Sequence, residues 1–234
     1  GDTNFPPGRA SGGSTTAAST SPAVKAAARK AKIQLFEKIA PSLGVPADQL
    51  STAGGKVITP TGQSWEWQEA TAQLGSQPVV VVSEFEEGFS GNNVAGVHFA
   101  EVEVDVETGR IQPIKIVAVN DCGLVVNNLL AQSQVNGGVI EGISFALLED
   151  RVLDPNVGVM VNSGLEPYKL AGAMEMPEIV PILLDMPERG VIGLGEPARI
   201  PTAGAIANAV YNAIGVPVRE LPMTPDKVLA ALKA

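Results

Sequence analysis

From His98 to Val106 the chain alternates strictly, with Val102, Val104 and Val106 on one side and Glu101, Glu103 and Asp105 on the other. A period of two marks a strand with one buried face, whereas helical neighbours recur every three or four residues. Glu107-Thr-Gly-Arg110 follows, and Gly109 is free to take the positive φ of a hairpin turn. Ile111 to Val119 then reads as the returning strand. An antiparallel hairpin of this kind must lay its apolar face on something, and the rest of the chain supplies helices to cover it.

Ser21-Pro22 reads as an N-cap and first helical position. Val24, Ala28, Ala31, Leu35 and Ile39 recur at helical spacing, so residues 22–40 are expected to form an amphipathic helix that Pro41 ends. Residues 42–75 read as a small excursion with a helical turn near Pro46–Leu50 and a strand at Lys56–Thr59. Val79-Val-Val-Val-Ser83 reads as a strand buried on both faces. Residues 88–93 are a loop, and Asn120-Asp-Cys-Gly123 breaks the returning strand. A helix is expected over 128–148, a loop over 151–175, a strand over 179–185, and helices over 203–214 and 225–233. Strands and helices interleave without a strict βαβ rhythm, which favours α+β: mixed or antiparallel sheets packed with helices. The organisation expected is residues 1–97 (loop, helix and excursion) and 98–234 (hairpin plus helices), forming one continuous unit.

Composition excludes several functions. Net charge is −9 and no Lys/Arg-rich run exists, so there is no footprint for nucleic acid. No apolar run approaches the ~20 residues that span a bilayer. Cys122 and His98 are the one cysteine and the one histidine, so neither a disulfide nor a zinc site of several Cys and His ligands forms within the chain. No protein-ligated metal is expected, and a redox metal must arrive inside a cofactor or on another chain. The chain starts at Gly1 without Met, as a stretch from the middle of a longer protein would. A cytoplasmic or periplasmic location is expected.

Three segments carry chemistry. Ser11-Gly-Gly-Ser-Thr-Thr16 offers close backbone approach, successive N–H groups and hydroxyl donors, the equipment for holding an anion. It lacks the Gly-Lys-Ser/Thr ending of a Walker loop, and composition alone favours a flexible Ser/Gly linker over a binding loop. The second segment is the expected helix with Gly137, Gly138 and Gly142. Each glycine costs roughly 1 kcal/mol against alanine in a helix, so something must pack against the bare backbone, a sheet or a cofactor. Gln134, one turn earlier, carries an amide that donates and accepts, while Gln132 should face elsewhere. The third segment is Gly193-Leu-Gly-Glu-Pro197, which holds Glu196 on a Gly/Pro loop between a strand and a helix. A loop carboxylate that becomes buried in a cleft acquires the proton affinity of a general base. Asp2, Glu84, Glu86, Glu87, Asp121 and Glu166 are loop acids too, and composition does not rank them below Glu196.

Taken together and in order, these segments resemble the C-terminal part of the molybdopterin-binding subunit of the xanthine dehydrogenase and aldehyde oxidase family. His98-Phe-Ala-Glu-Val-Glu-Val-Asp with the following Thr108-Gly109, Ala131-Gln-Ser-Gln-Val-Asn-Gly-Gly138, Glu166-Pro-Tyr-Lys169 and Arg219-Glu-Leu-Pro-Met-Thr-Pro225 carry the resemblance alongside the Glu196 loop. It implies the C-terminal half of a molybdenum-cofactor-binding domain. It implies that Gly12, Gly13, Ser14 and Thr15 contact the pyranopterin or its cytosine dinucleotide tail, and that Gln134 lies beside the molybdenum. Glu196 would be the catalytic base in oxidation of an aldehyde or N-heterocycle, with water as the oxygen source. Further implied partners are an N-terminal half of the molybdenum subunit and iron–sulfur and flavin (FAD) subunits or domains, and the chain alone is expected to be inactive. Two features depart from the family pattern. Ala198-Arg199 follows Gly-Glu-Pro where a second proline or an apolar residue is usual, placing a cation near Glu196 or a substrate anion. The family's Gly-rich pterin loop and arginine-containing substrate loop are absent from this sequence. Two other readings fit the residues alone: a non-catalytic domain of the same fold, and an unrelated nucleotide-binding module using the Ser11–Thr16 loop.

Overall fold

The computed structural model describes all residues except 1, 6, 7, 9, 92 and 234, so the loops expected at 1–20 and 88–93 lie partly outside the described residues. The fold is α+β. Contacts gather into two units, residues 1–18 with 88–234, and residues 19–87.

The larger unit is built on a three-stranded sheet of β4 (Ala95–Val104), β5 (Ile111–Asp121) and β6 (Glu178–Leu184). β4 and β5 form the expected hairpin, with His98 opposite Ala118 and a register shift between Glu101 and Val102. Val102 and Val104 turn to the half-buried side while Glu101 and Glu103 face solvent, as the alternation requires. β5 does not stop at Asn120. It continues to Asp121, because both residues stay in register with β6, which runs parallel to it. A parallel pair needs a long crossover, and this one carries α3 (Asn128–Leu147).

α3 and α4 (Ile200–Ile214) pack on each other and on the sheet. Ile116 and Ala118 from β5, Val135, Val139 and Ile143 from α3, and Ile206 and Val210 from α4 are fully buried in one cluster. Asn127 caps α3 by accepting from the Leu130 N–H at 3.0 Å. Two of the three glycines of α3, Gly138 and Gly142, meet protein: a Cβ on Gly142 would overlap the Thr202 side chain of α4. α5 (Pro225–Leu232) follows Thr224 and buries Val228.

The helix α1 differs from expectation. It spans Thr15–Leu43, beginning in the larger unit and continuing in the smaller, with Pro22 and Pro41 both inside it. Pro22 is therefore not the first helical position, and Pro41 does not stop the helix but lies in its last turn. The buried stripe is Pro22, Ala26, Leu35, Phe36, Ile39 and Ala40, while Val24 is 61% exposed. The core on Phe36, Ile39 and Ala40 carries the helix through a proline that propensity counts against.

Within the smaller unit, β1 (Ser51–Ala53), β2 (Lys56–Ile58) and β3 (Ser64–Glu66) form an antiparallel sheet, followed by α2 (Trp67–Ala72). Leu35, Phe36, Ile39, Leu50, Val57 and Ala70 make its core. The strand expected at Val79–Ser83 is absent: these residues form no ladder, and Val80 and Val82 are 74% and 88% exposed. A strand needs a hydrogen-bonding neighbour, and none of the described strands runs beside this segment.

Candidate functional site

In the larger unit, three segments remote in sequence line one polar cleft of about 480 Å³. Ser11, Gly12, Ser14 and Thr16 come from the N-terminal loop and the start of α1, Gln134 and Glu141 from α3, and Gly195, Glu196 and Arg199 from the loop before α4.

The loop enters α1 through Gly13 and Ser14, both in the left-handed region at φ of 60° and 61°. Glycine adopts that conformation freely, but serine does so rarely, and such residues concentrate at functional sites. The twist delivers Ser14 to the glutamate loop, where its Oγ accepts the Glu196 N–H at 2.5 Å. The two glycines before Glu196 are needed for this approach. A Cβ on Gly193 would overlap the Ser14 carbonyl, and one on Gly195 would lie 2.9 Å from Ser14 Oγ and 3.3 Å from Gln134 Oε1. Buried Leu194 and Ala198 anchor the loop to the core on either side of Glu196. Thr15 turns back, its Oγ1 donating to the Gly12 carbonyl at 2.9 Å.

α3 presents one face to the cleft. Gln134, Gly138 and Glu141 are spaced by four and three, so they share a face. Gln134 and Glu141 line the cleft, while Gly138 between them lies bare against the backbone of Ala198 and Arg199. Gln132 is not part of the lining.

Because α1 starts at Thr15, its first turn opens directly on the cleft, where Thr16 and Ala17 form part of the wall. The Thr15 N–H donates to the Gly12 carbonyl at 3.4 Å, and the positive end of the helix dipole favours an anion at this end of α1. Reading Ser21-Pro22 as the helix start hid this feature.

Gly12, Ser14, Gln134 and Glu196 thus meet in the cleft, with Gly13 directly beneath: a Cβ there would stand 3.9 Å from Glu196 Oε2. Glu196 is exposed: among the described residues nothing closes the cleft over it, so the burial that would raise its proton affinity is not supplied by them. Arg199 does not act on Glu196 alone. Its Nη1 donates to Glu141 Oε2 at 3.0 Å, and this bond first, with Glu196 a lesser contributor, holds the guanidinium above its ordinary pKa. None of the rival loop acids lines the cleft: Asp121 is buried against Arg189, and Glu86 faces Arg29. Glu141 was missed by sequence reasoning. Its signal was its place seven residues after Gln134, on the same helical face.

Among the described residues no group of three or more His, Cys, Asp or Glu side chains could hold a metal ion. No helix among them is long and apolar enough to cross a membrane.

Comparison with known proteins bears on what such a cleft holds. A family model described as the molybdopterin cofactor-binding domain matches residues 1–177. The chain is 34% identical over 239 residues to the aldehyde oxidoreductase molybdenum-binding subunit PaoC of Escherichia coli K12, covering 99% of this chain and 32% of that subunit. It is 36% identical over 137 residues to the putative xanthine dehydrogenase molybdenum-binding subunit XdhA of the same organism, covering 57% of this chain and 18% of that one. The fold is similar to that of a Cu,Mo-CO dehydrogenase, with a TM-score of 0.81 at 21% identity over 95% of this chain and 30% of that one. The chain therefore spans about a third of the length of PaoC.

Proposed function

This chain belongs to the molybdopterin cofactor-binding domain family, and from that premise we propose that its cleft is one wall of a molybdenum hydroxylase site in which Glu196 is the general base. The observation that carries the reading is the junction of the three segments: Ser14 Oγ holds the Glu196 N–H at 2.5 Å, with Gln134 Oε1 beside Gly195.

The residues fit a polar, anionic cofactor. The loop contributes bare glycine backbone and hydroxyls, α1 its first turn, and α3 an amide. Gly12, Gly13, Ser14 and Thr15 would hold the pterin or its cytosine dinucleotide tail, and Gln134 would face the metal end. When bound, the group supplies a two-electron acceptor for oxidation of an aldehyde or N-heterocycle, with water as the oxygen source. Glu196 takes the proton that the water-derived oxygen gives up, at a carboxylate oxygen facing the cleft. The Ser14 bond fixes the loop backbone, so the carboxylate keeps its place while it accepts the proton. The Glu141–Arg199 pair leaves a cation in the wall that is already engaged, and it balances the second carboxylate.

The remainder of a molybdenum-binding subunit would close the cleft and shape the substrate pocket, and iron–sulfur and flavin partners would carry electrons away. The chain alone would then be inactive. The test of the cradle is Gly12→Val in the assembled enzyme. Gly12 lines the cleft, and a Cβ there meets nothing within 4 Å among the described residues, so they leave room for the added side chain. Pterin content is expected to fall at least about tenfold, with the melting of the 234-residue chain unchanged. Full pterin content would overturn the assignment of this loop.

A further inference from the structure

Residues 79–84 present an extended apolar segment with no partner. Val79, Val81 and Ser83 are half-buried against their own unit, whereas Val80, Val82 and Glu84 point outward. Phe85, next along, is 54% exposed. Among the described residues, 79–86 show no backbone–backbone hydrogen bond, and the Glu84 carbonyl accepts locally from Ser83 Oγ at 3.3 Å. The segment's position is nonetheless fixed at both ends: Lys38 Nζ donates to the Pro78 carbonyl at 3.5 Å, and Arg29 Nη1 faces Glu86 Oε1 at 3.5 Å. Val79 also forms one wall of an apolar groove of about 540 Å³ with Ala31, Leu35, Trp67 and Leu74.

Four consecutive valines are the composition of a strand covered on both faces, and here one face and the backbone edge stand open. An open edge flanked by apolar residues invites strand addition. The relative that matches 99% of this chain is about three times as long, this chain covering 32% of it. We infer that Val79–Glu84 is a docking edge for an extended segment from the remainder of the molybdenum-binding subunit, which adds as a strand and covers Val80 and Val82. Glu84, Glu86 and Glu87 make this end of the edge acidic, so the docking segment would be apolar opposite the valines and basic opposite the glutamates. The inference rests on the proposed assembly but not on the chemistry of Glu196.

Amide hydrogen exchange over residues 79–84 tests it, measured in the 234-residue chain and in the intact molybdenum-binding subunit. Fast exchange in the chain and slowing by at least about tenfold in the intact subunit is expected. Val81→Pro, which removes a ladder donor, and Val82→Lys should each lower the yield of assembled subunit while leaving the melting of the 234-residue chain unchanged. Equal, fast exchange in both forms would overturn the inference. So would protection in the chain alone that disappears on dilution, which would mean that a second copy covers the edge. The outcome is separate from the cofactor reading: protection without molybdenum would defeat only the proposed function, and molybdenum without protection only the docking edge.

Discussion

Gly137 and Gly138 stand side by side in α3, and the structure gives them opposite roles. A Cβ on Gly137 meets nothing within 4 Å. On Gly138 it would lie 2.8 Å from Ala198 C and Arg199 N, and 3.0 Å from Ala198 Cβ. Two of these three atoms are backbone, so no side-chain rotation relieves the clash. Replacing a helix-interior glycine by alanine gains about 1 kcal/mol of helix propensity at either position. At Gly138 that gain is set against overpacking of roughly 1–3 kcal/mol. Because both substitutions share one helix, propensity cancels in the comparison, and Gly137→Ala should exceed Gly138→Ala in stability by about 1–3 kcal/mol. In a domain of this size, that is a separation of roughly 2–12 °C in melting midpoint. Calorimetry or thermal circular dichroism on the two variants measures it. Gly138→Ala should also displace the Pro197–Arg199 turn and with it Glu196. Equal midpoints for the two variants would refute the claim that α3 is bare in order to admit the glutamate loop.

Three further outcomes follow from the same geometry. Ser14→Ala removes the acceptor of the Glu196 N–H, worth about 0.5–1.5 kcal/mol, so that amide should exchange roughly two- to tenfold faster, as hydrogen exchange measures. His98 is buried between Thr202 Oγ1 at 2.9 Å and Asn120 Nδ2 at 3.4 Å, and burial holds its pKa below the ordinary 6.5, outweighing the Asn120 bond. The unfolded chain then takes up its proton first, so this contribution is complete above 6.5 and lost as pH falls below it. A His98→Gln variant should show a shallower fall in denaturant midpoint on acidification, and an unchanged slope would remove His98 as the cause. Finally, the 234-residue chain expressed by itself should contain no stoichiometric molybdenum by elemental analysis, and one molybdenum per chain would show that it holds a complete site.

Local pattern made much of the fold legible. The valine–glutamate alternation gave β4, and the turn at Gly109 gave its pairing with β5. The helical spacing between 128 and 148 and the Gly215 and Pro225 punctuation placed α3, α4 and α5. What failed had causes beyond local sequence. Pro22 reads as a helix start and Pro41 as a stop, yet both lie within α1, and packing of Phe36 and Ile39 offsets Pro41 in the last turn. The valines of 79–82 have strand composition, but a strand also requires a neighbour. The candidate site was legible as residues but not as geometry. Gly193 and Gly195 look like turn residues, whereas they are bare to admit Ser14 from a segment about 180 positions away, a contact that no periodicity encodes. Glu141 was hidden as an ordinary helix-surface acid, although it shares the α3 face of Gln134, and its pairing with Arg199 across the cleft wall is a contact that no periodicity encodes.

The central claim is that Glu196 accepts a proton in the oxidation, and Glu196→Gln in the assembled enzyme tests it most directly. Glutamine keeps the length and hydrogen-bonding reach of the side chain, and the Ser14 bond uses only the backbone N–H, so fold and loop position are retained. Turnover and molybdenum content are measured on the same preparation, with Glu166→Gln as the control, since Glu166 is outside the cleft lining. A positioned general base contributes about 10²–10⁴-fold, so turnover should fall at least about 100-fold while molybdenum content stays complete. Near wild-type turnover at complete cofactor loading would contradict the assignment and leave Glu196 a residue of the loop alone.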